Sequence, residues 1–165
     1  MNDTTKSKAL FLDRDGVINH DPGDYTYSLE EFVILPTVID AMKTASDKGY
    51  KVIIITNQGG VAKGLYDLAE VKRIHQYLLD TCQKADVEIT GIYCSPHHPD
   101  FGNSLTRKPE SLMMERAIAR HYIDASKSVM IGDKQRDLDC AAKVGVSGIL
   151  IDTNADLIGY ISDLH

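Results

Sequence analysis

Short apolar runs alternate with stretches of helical periodicity along the whole chain. The runs Ala9 to Leu12, Val52 to Ile55, Ile89 to Cys94, Val129 to Ile131 and Gly148 to Ile151 read as strands. They are rich in β-branched residues and nearly continuous, as suits parallel strands buried on both faces. Helices fit the gaps. Pro36 suits a first helical turn, with Ile39, Met42 and Ala45 at helical spacing behind it and Gly49 at the end. Asp67 with Glu70 three residues on resembles a capping box, and Val71, Ile74, Leu78 and Cys82 continue that helix on one face. Pro109 opens a third helix through Leu112, Met113 and Ala117. Gln135 to Val144 makes a fourth, closed by Gly145, and 155–163 a short last one. The alternation predicts an α/β fold with a three-layer, doubly wound parallel sheet. Ligands bind such sheets beyond the carboxyl ends of the strands. Asp13, Thr56 and Asp133 each follow a run directly, and the loop ending at Arg107-Lys108 opens at the same edge.

Composition narrows the class. A chain of 165 residues fits a single domain, 1–165, and 43% hydrophobic with 25% charged residues is ordinary for a globular protein. A net charge of −6 argues against nucleic acid or an anionic membrane as partner and leaves small anionic substrates open. The three cysteines are odd in number and widely spaced, so a reducing cytoplasm is expected rather than a disulfide framework. Met1 to Lys8 is short and polar, with no apolar signal core, and no run is long enough to span a membrane. A monomer is expected.

The strand-end residues suggest a chemistry. Asp13 and Asp15, two apart on an extended segment, share one face. Such like charges call for a neutralising hard cation, and magnesium prefers carboxylate oxygens. Gly16 permits a sharp turn behind them. Phosphate monoesters hydrolyse so slowly that enzymes accelerate them by up to an order of 10²¹. An aspartate nucleophile splits that step in two, and a second carboxylate can protonate the leaving oxygen and later deprotonate water. Thr56-Asn57-Gln58-Gly59-Gly60 offers a hydroxyl, amides and backbone N–H groups to phosphoryl oxygens. Arg107-Lys108 places cations at a helix start, against the helix dipole. Asp133 can ligate a cation, with Asp137 one turn further on. Taken singly, each segment also fits an N-cap or a helix-capping turn.

Together, the ordered set resembles the haloacid dehalogenase superfamily of phosphatases: Asp-x-Asp-Gly, a strand-end Thr, a Lys, then Gly-Asp with a later Asp. It runs from Phe11 to Asp137. The resemblance implies a Rossmannoid fold, Asp13 as nucleophile, Asp15 as general acid and base, and Thr56 and Lys108 as phosphoryl stabilisers. It places magnesium on Asp13, the Asp15 backbone carbonyl and Asp133, with Asp137 in support. The wording FLDRDGVIN, ITNQGGVAKG, YCSPHHP, RKP and IGDK is similar to the branch holding the heptose-bisphosphate and histidinol-phosphate phosphatases. That implies substrate contacts from Asp21, Asp24, Asn57, Gln58, Arg107 and Lys134, and a phosphorylated small metabolite, first a sugar bisphosphate, as substrate.

One departure from the family pattern, and the length of two connections, sharpen the expectation. Many members hold a structural zinc with a Cys-x-His pair and a Cys-x-Cys pair. Here the corresponding stretches read Cys94-Ser95-Pro96-His97-His98 and Ser104-Leu105-Thr106. Two ligands cannot close a tetrahedral site, so a zinc-free loop is expected. The Arg14–Leu35 and 95–108 connections are too short for a folded cap, so the capless type is expected. A phospho-receiver signalling domain shares the sheet, the phosphorylated aspartate, the Thr and the Lys. It places its aspartate after the third strand, though, whereas Asp13 follows the first.

Overall fold

The computed structural model describes residues 5–165; the opening of the polar N-terminal segment, 1–4, lies outside the described residues. The strands are β1 (Lys8–Leu12), β2 (Tyr50–Asn57), β3 (Ile89–Ser95), β4 (Val129–Gly132) and β5 (Ser147–Leu150). The helices are α1 (Val38–Asp47), α2 (Leu68–Lys84), α3 (Leu112–His121), α4 (Gln135–Lys143) and α5 (Leu157–Ser162). The strands form one parallel sheet in the order β3-β2-β1-β4-β5.

Strand alternation builds the two outer layers, because successive side chains point to opposite faces. Leu10, Leu12, Val52, Ile54 and Ile131 pack with Val38, Ala41 and Met42 of α1, Ile74 and Leu78 of α2, and Leu157 and Ile161 of α5. Ala9, Phe11, Ile53, Ile55 and Met130 pack on the other face with Met113, Met114 and Ala117 of α3 and Cys140 and Ala141 of α4. The central strand residues are fully buried. Each large aliphatic among them contributes roughly 1.5–3 kcal/mol through burial. Among the described residues no helix is long and apolar enough to cross a membrane.

Several points differ from the sequence expectation. Pro109 lies in a turn and does not open α3, which starts only at Leu112 after the N-cap position Ser111, so Arg107 and Lys108 precede the helix by several residues. Pro36 lies outside α1, because Thr37 takes a left-handed φ of 64° and the helix starts only at Val38. β5 runs one residue earlier than Gly148–Ile151, in register with Val129–Gly132. Asp67 caps α2, its carboxylate accepting from the Glu70 N–H at 2.8 Å, but the box does not close. The Glu70 carboxylate turns instead to the Leu29 N–H at 2.7 Å and ties α2 to the connection after β1.

The chain winds from β1 out to β3, then crosses to β4 on the opposite side of β1. The two halves of the sheet therefore part between β1 and β4, the switch point where doubly wound sheets bind ligands. Asp13 and Asp133 follow these two strands, and the Asp13 N–H donates to the Ile131 carbonyl at 3.1 Å.

Candidate active site

β1 delivers Asp13 to the sheet edge, and the chain then turns tightly. The Arg14 carbonyl accepts from the N–H groups of Ile18 and Asn19 at 2.7 and 3.1 Å. Gly16 holds φ at +83°, and a Cβ there would lie 2.5 Å from Asp133 Oδ2, so only glycine fits. The turn thus brings the first and fourth strand ends together.

Carboxylates of Asp13, Asp133 and Asp137 offer oxygens within 4.8 Å of one another. The buried Lys108 ammonium sits among them, donating to Asp13 Oδ1 at 2.8 Å and the Ile55 carbonyl at 2.6 Å, and pairing with Asp137 Oδ1 at 2.7 Å. Burial disfavours its charge, but Asp13 and Asp137 outweigh that and hold its pKa above the ordinary lysine value. Burial also acts on Asp13, and neighbouring Asp137 and Asp15 add to it. Against the pull of Lys108 these push its pKa up to about 7. Among the described residues Asp133 Oδ1 is buried without a partner, while Oδ2 accepts from Lys134 Nζ and Thr153 Oγ1, both at 2.7 Å. A cluster with one orphaned carboxylate oxygen suits a hard cation.

Asp15 faces a different environment. It accepts from Arg14 Nη2 at 2.7 Å, Asn19 Nδ2 at 2.9 Å and Gln58 Nε2 at 2.8 Å. Burial opposes its ionisation, but the Arg14 guanidinium and these donors prevail and hold its pKa below the usual carboxylate value. Two carboxylates two residues apart are therefore driven in opposite directions, in the reverse sense to an ionised nucleophile beside a protonated acid, and a cation held by Asp13 would favour its ionised form.

Thr56, the last residue but one of β2, is buried, and its hydroxyl accepts from Gln58 Nε2 at 2.9 Å. Gln58 bridges Thr56 and Asp15, and its carbonyl accepts from the Tyr66 hydroxyl at 3.0 Å. The Asn57 amide grips the backbone of Lys108: Nδ2 donates to the Lys108 carbonyl and Oδ1 accepts from its N–H, both at 3.0 Å. Asn57 thereby fixes the lysine across 51 residues of sequence.

Beside Asp15 opens a cavity of about 260 Å³ lined by Asp21, Asp24, Tyr25, Asn57, Tyr66, His98, Arg107 and Arg136, among others. Asp21 is clasped by Asn154, which accepts from its N–H at 2.7 Å and donates to its carbonyl at 2.9 Å. Asp24 accepts from the Tyr27 hydroxyl. Arg107 donates to the His97 carbonyl at 2.8 Å, and neither Arg107 nor Arg136 has a carboxylate partner among the described residues. Lys134 departs from its expected place. Its ammonium is turned to Asp133 and Thr153, and Arg136 stands in the cavity wall. In the 94–106 loop, Thr106 Oγ1 lies 2.9 Å from Ser95 Oγ and 2.8 Å from Ser104 Oγ.

The sequence reading passed over Arg14, Asn19, Tyr66 and Arg136. Arg136 carried a signal, a cation in the first turn of a helix against the dipole. Arg14 carried none, since arginine is rarely buried.

Comparison with known proteins agrees with this geometry. Residues 105–157 match the HAD-hydrolase-like family model. The D-glycero-D-manno-heptose-1,7-bisphosphate 7-phosphatase of Chlorobaculum tepidum is 35% identical over 158 residues, covering 89% of this chain and 79% of the relative. The D-glycero-beta-D-manno-heptose-1,7-bisphosphate 7-phosphatase of Pseudomonas putida is 41% identical over 147 residues, covering 88% and 83%. The crystal structure of D,D-heptose 1,7-bisphosphate phosphatase from B. bronchiseptica, complexed with magnesium and phosphate, superposes with a TM-score of 0.81 at 33% identity, covering 87% of this chain and 79% of that one. With the sheet, the strand-end aspartates and these relatives in agreement, the chain belongs to the haloacid dehalogenase superfamily, as one of its phosphatases acting on phosphoric monoesters.

Proposed function

We propose that this protein removes the 7-phosphate of D-glycero-D-manno-heptose 1,7-bisphosphate through an aspartyl-phosphate on Asp13, as one capless domain acting as a cytoplasmic monomer. The cavity beside Asp15 carries the substrate assignment. Its two arginines without carboxylate partners suit a second anionic group, its volume suits a monosaccharide, and the relatives above are named for this sugar. Histidinol phosphate would set its cationic end against the same arginines.

In this reading Asp13 attacks phosphorus in line with the leaving oxygen. Lys108 and Thr56 receive the charge on the phosphoryl oxygens, at positions set beforehand by Asn57 and Gln58. Asp15 protonates the leaving oxygen, then takes a proton from the water that hydrolyses the acyl phosphate. The approaching dianion raises the affinity of Asp15 for a proton and so offsets the low pKa set by Arg14. Asp13, Asp133 and the Asp15 carbonyl would hold magnesium, supported by Asp137. The ion would neutralise phosphoryl charge and align the phosphate with the nucleophile. The hydroxyls of Ser95, Ser104 and Thr106 tie the 94–106 loop together.

A phosphate-release screen tests the substrate. The heptose bisphosphate should exceed histidinol phosphate and nucleotides by about tenfold or more in kcat/KM, as fits one well-placed charged contact. Comparable values would overturn the assignment.

Magnesium binding should depend on pH in a stated direction. Because Asp13 titrates near pH 7 in the metal-free protein, a proton competes with the cation below that pH. Affinity should fall as pH drops from 8 to about 6, and calorimetry in buffers of different ionisation enthalpy should detect proton release. The same raised pKa means that the metal-free fold holds a proton the unfolded chain gives up. Apoprotein stability should therefore decline as pH rises from about 4 to about 7. Flat profiles would show that Asp13 is already ionised across this range in the metal-free protein.

A further inference from the structure

Arg14 is almost wholly buried, yet its charge is met by one carboxylate, that of Asp15. Among the described residues its Nε has no partner, and its guanidinium carbon lies 5.5 Å from the centre of the Phe32 ring. The remaining polar contact is Nη1, 3.4 Å from His75 Nε2. Arginine only donates, so His75 Nε2 must be the acceptor and the imidazole carries its proton on Nδ1. Burial, then the Arg14 charge, push the His75 pKa down to about 4, which keeps the ring a neutral acceptor. His75 lies on the face of α2 next to Ile74 and Leu78 of the core, and so belongs to a rigid element. No step of the mechanism above uses it.

We propose that His75 is a positioning residue: by accepting from Arg14 Nη1 it holds the guanidinium whose Nη2 fixes the Asp15 carboxylate beside the nucleophile. This rests on Asp15 being the acid and base. Without the acceptor, Arg14 has a second buried nitrogen unpaired and swings toward other oxygens, carrying Asp15 with it. A shift of about 1 Å in a catalytic group costs on the order of 10²-fold. The water step needs Asp15 most, because the attacking water must be deprotonated, whereas an aryl phosphate with a good leaving group needs little acid in the first step.

Rapid mixing of the magnesium-loaded enzyme with p-nitrophenyl phosphate separates the steps. His75→Ala should release the first equivalent of p-nitrophenol at nearly the wild-type rate, followed by a steady state about 10–100-fold slower, while a hydroxylamine-sensitive phosphoenzyme accumulates. His75→Gln, whose amide oxygen can accept from Arg14, should recover most of the rate. Thermal unfolding of His75→Gln should stay near wild type, while His75→Ala, which leaves a second buried guanidinium nitrogen unpaired, should unfold several degrees lower but remain folded at the assay temperature. A His75→Ala steady state within twofold of wild type overturns the proposal. So does a loss confined to KM, or one that Gln fails to recover. Asp15→Asn measured alongside locates a failure: if it too turns over normally, the acid/base reading has fallen, whereas a dead Asp15→Asn beside a normal His75→Ala removes only His75.

Discussion

Asp13→Asn should lower kcat by at least about 10⁴-fold, the scale of losing a nucleophile in enzymes that act through covalent intermediates. The fold should stand. The oxygen of the introduced amide can still accept from the Arg14 N–H and from Lys108 Nζ, which keeps its contacts to Ile55 and Asp137. The substitution removes one of several crowded carboxylates, so the midpoint of unfolding should hold within a few degrees. Phosphate release and thermal unfolding on the same purified sample measure both. Retention of a tenth of the wild-type rate would reassign the nucleophile, most directly to Asp15.

Lys108→Met should cost both activity and stability. The methionine fills the aliphatic volume of the buried stem but leaves Asp13 and Asp137 facing each other with no cation between them. Breaking a buried pair by removing one partner costs about 3–5 kcal/mol. For a domain of this size that lowers the midpoint of unfolding by roughly 10 °C at neutral pH. Asp13 binds its proton more tightly once the ammonium is gone, so the destabilisation should shrink at pH 5.5 relative to pH 7.5. Turnover should fall by about 10³-fold or more, because a charge aimed at the transferring phosphate is lost. Asn57 would still hold the backbone of position 108. A variant as stable as wild type at pH 7.5 would mean that the Asp13–Lys108–Asp137 triad carries no net stabilisation.

These two residues were both legible in the linear chain, for different reasons. Asp13 follows an apolar run and precedes Asp15 and Gly16, a local pattern with a chemical meaning. Lys108 has only a local signal of charge at a helix start; its partners are 95 residues before it and 29 after it. Asn57 and Gln58 were expected to touch substrate. The structure gives Asn57 to the Lys108 backbone and Gln58 to Thr56 and Asp15, so both hold other groups in place. The residue types were right for hydrogen bonding, but the chain order does not say which groups they meet.

The sequence by itself determined the five strands, the five helices and the face on which the reactive side chains gather. That follows because apolar periodicity and strand-end position are local properties, read over a few residues. It also pointed to a sharp turn at Gly16, although not to the Asp133 carboxylate that leaves no room for a Cβ there. Only the tertiary structure decided the order β3-β2-β1-β4-β5, which brings Asp133 against Gly16 and sets Asp13 at the switch point. It also decided that Arg14 is buried against Phe32 and His75, that Arg136 and not Lys134 lines the cavity, and that adjacent carboxylates take opposite protonation tendencies. The physical reason is common to all of these. Burial and charge partners belong to elements far apart in sequence, and a side chain's protonation state and role depend on those neighbours more than on its type.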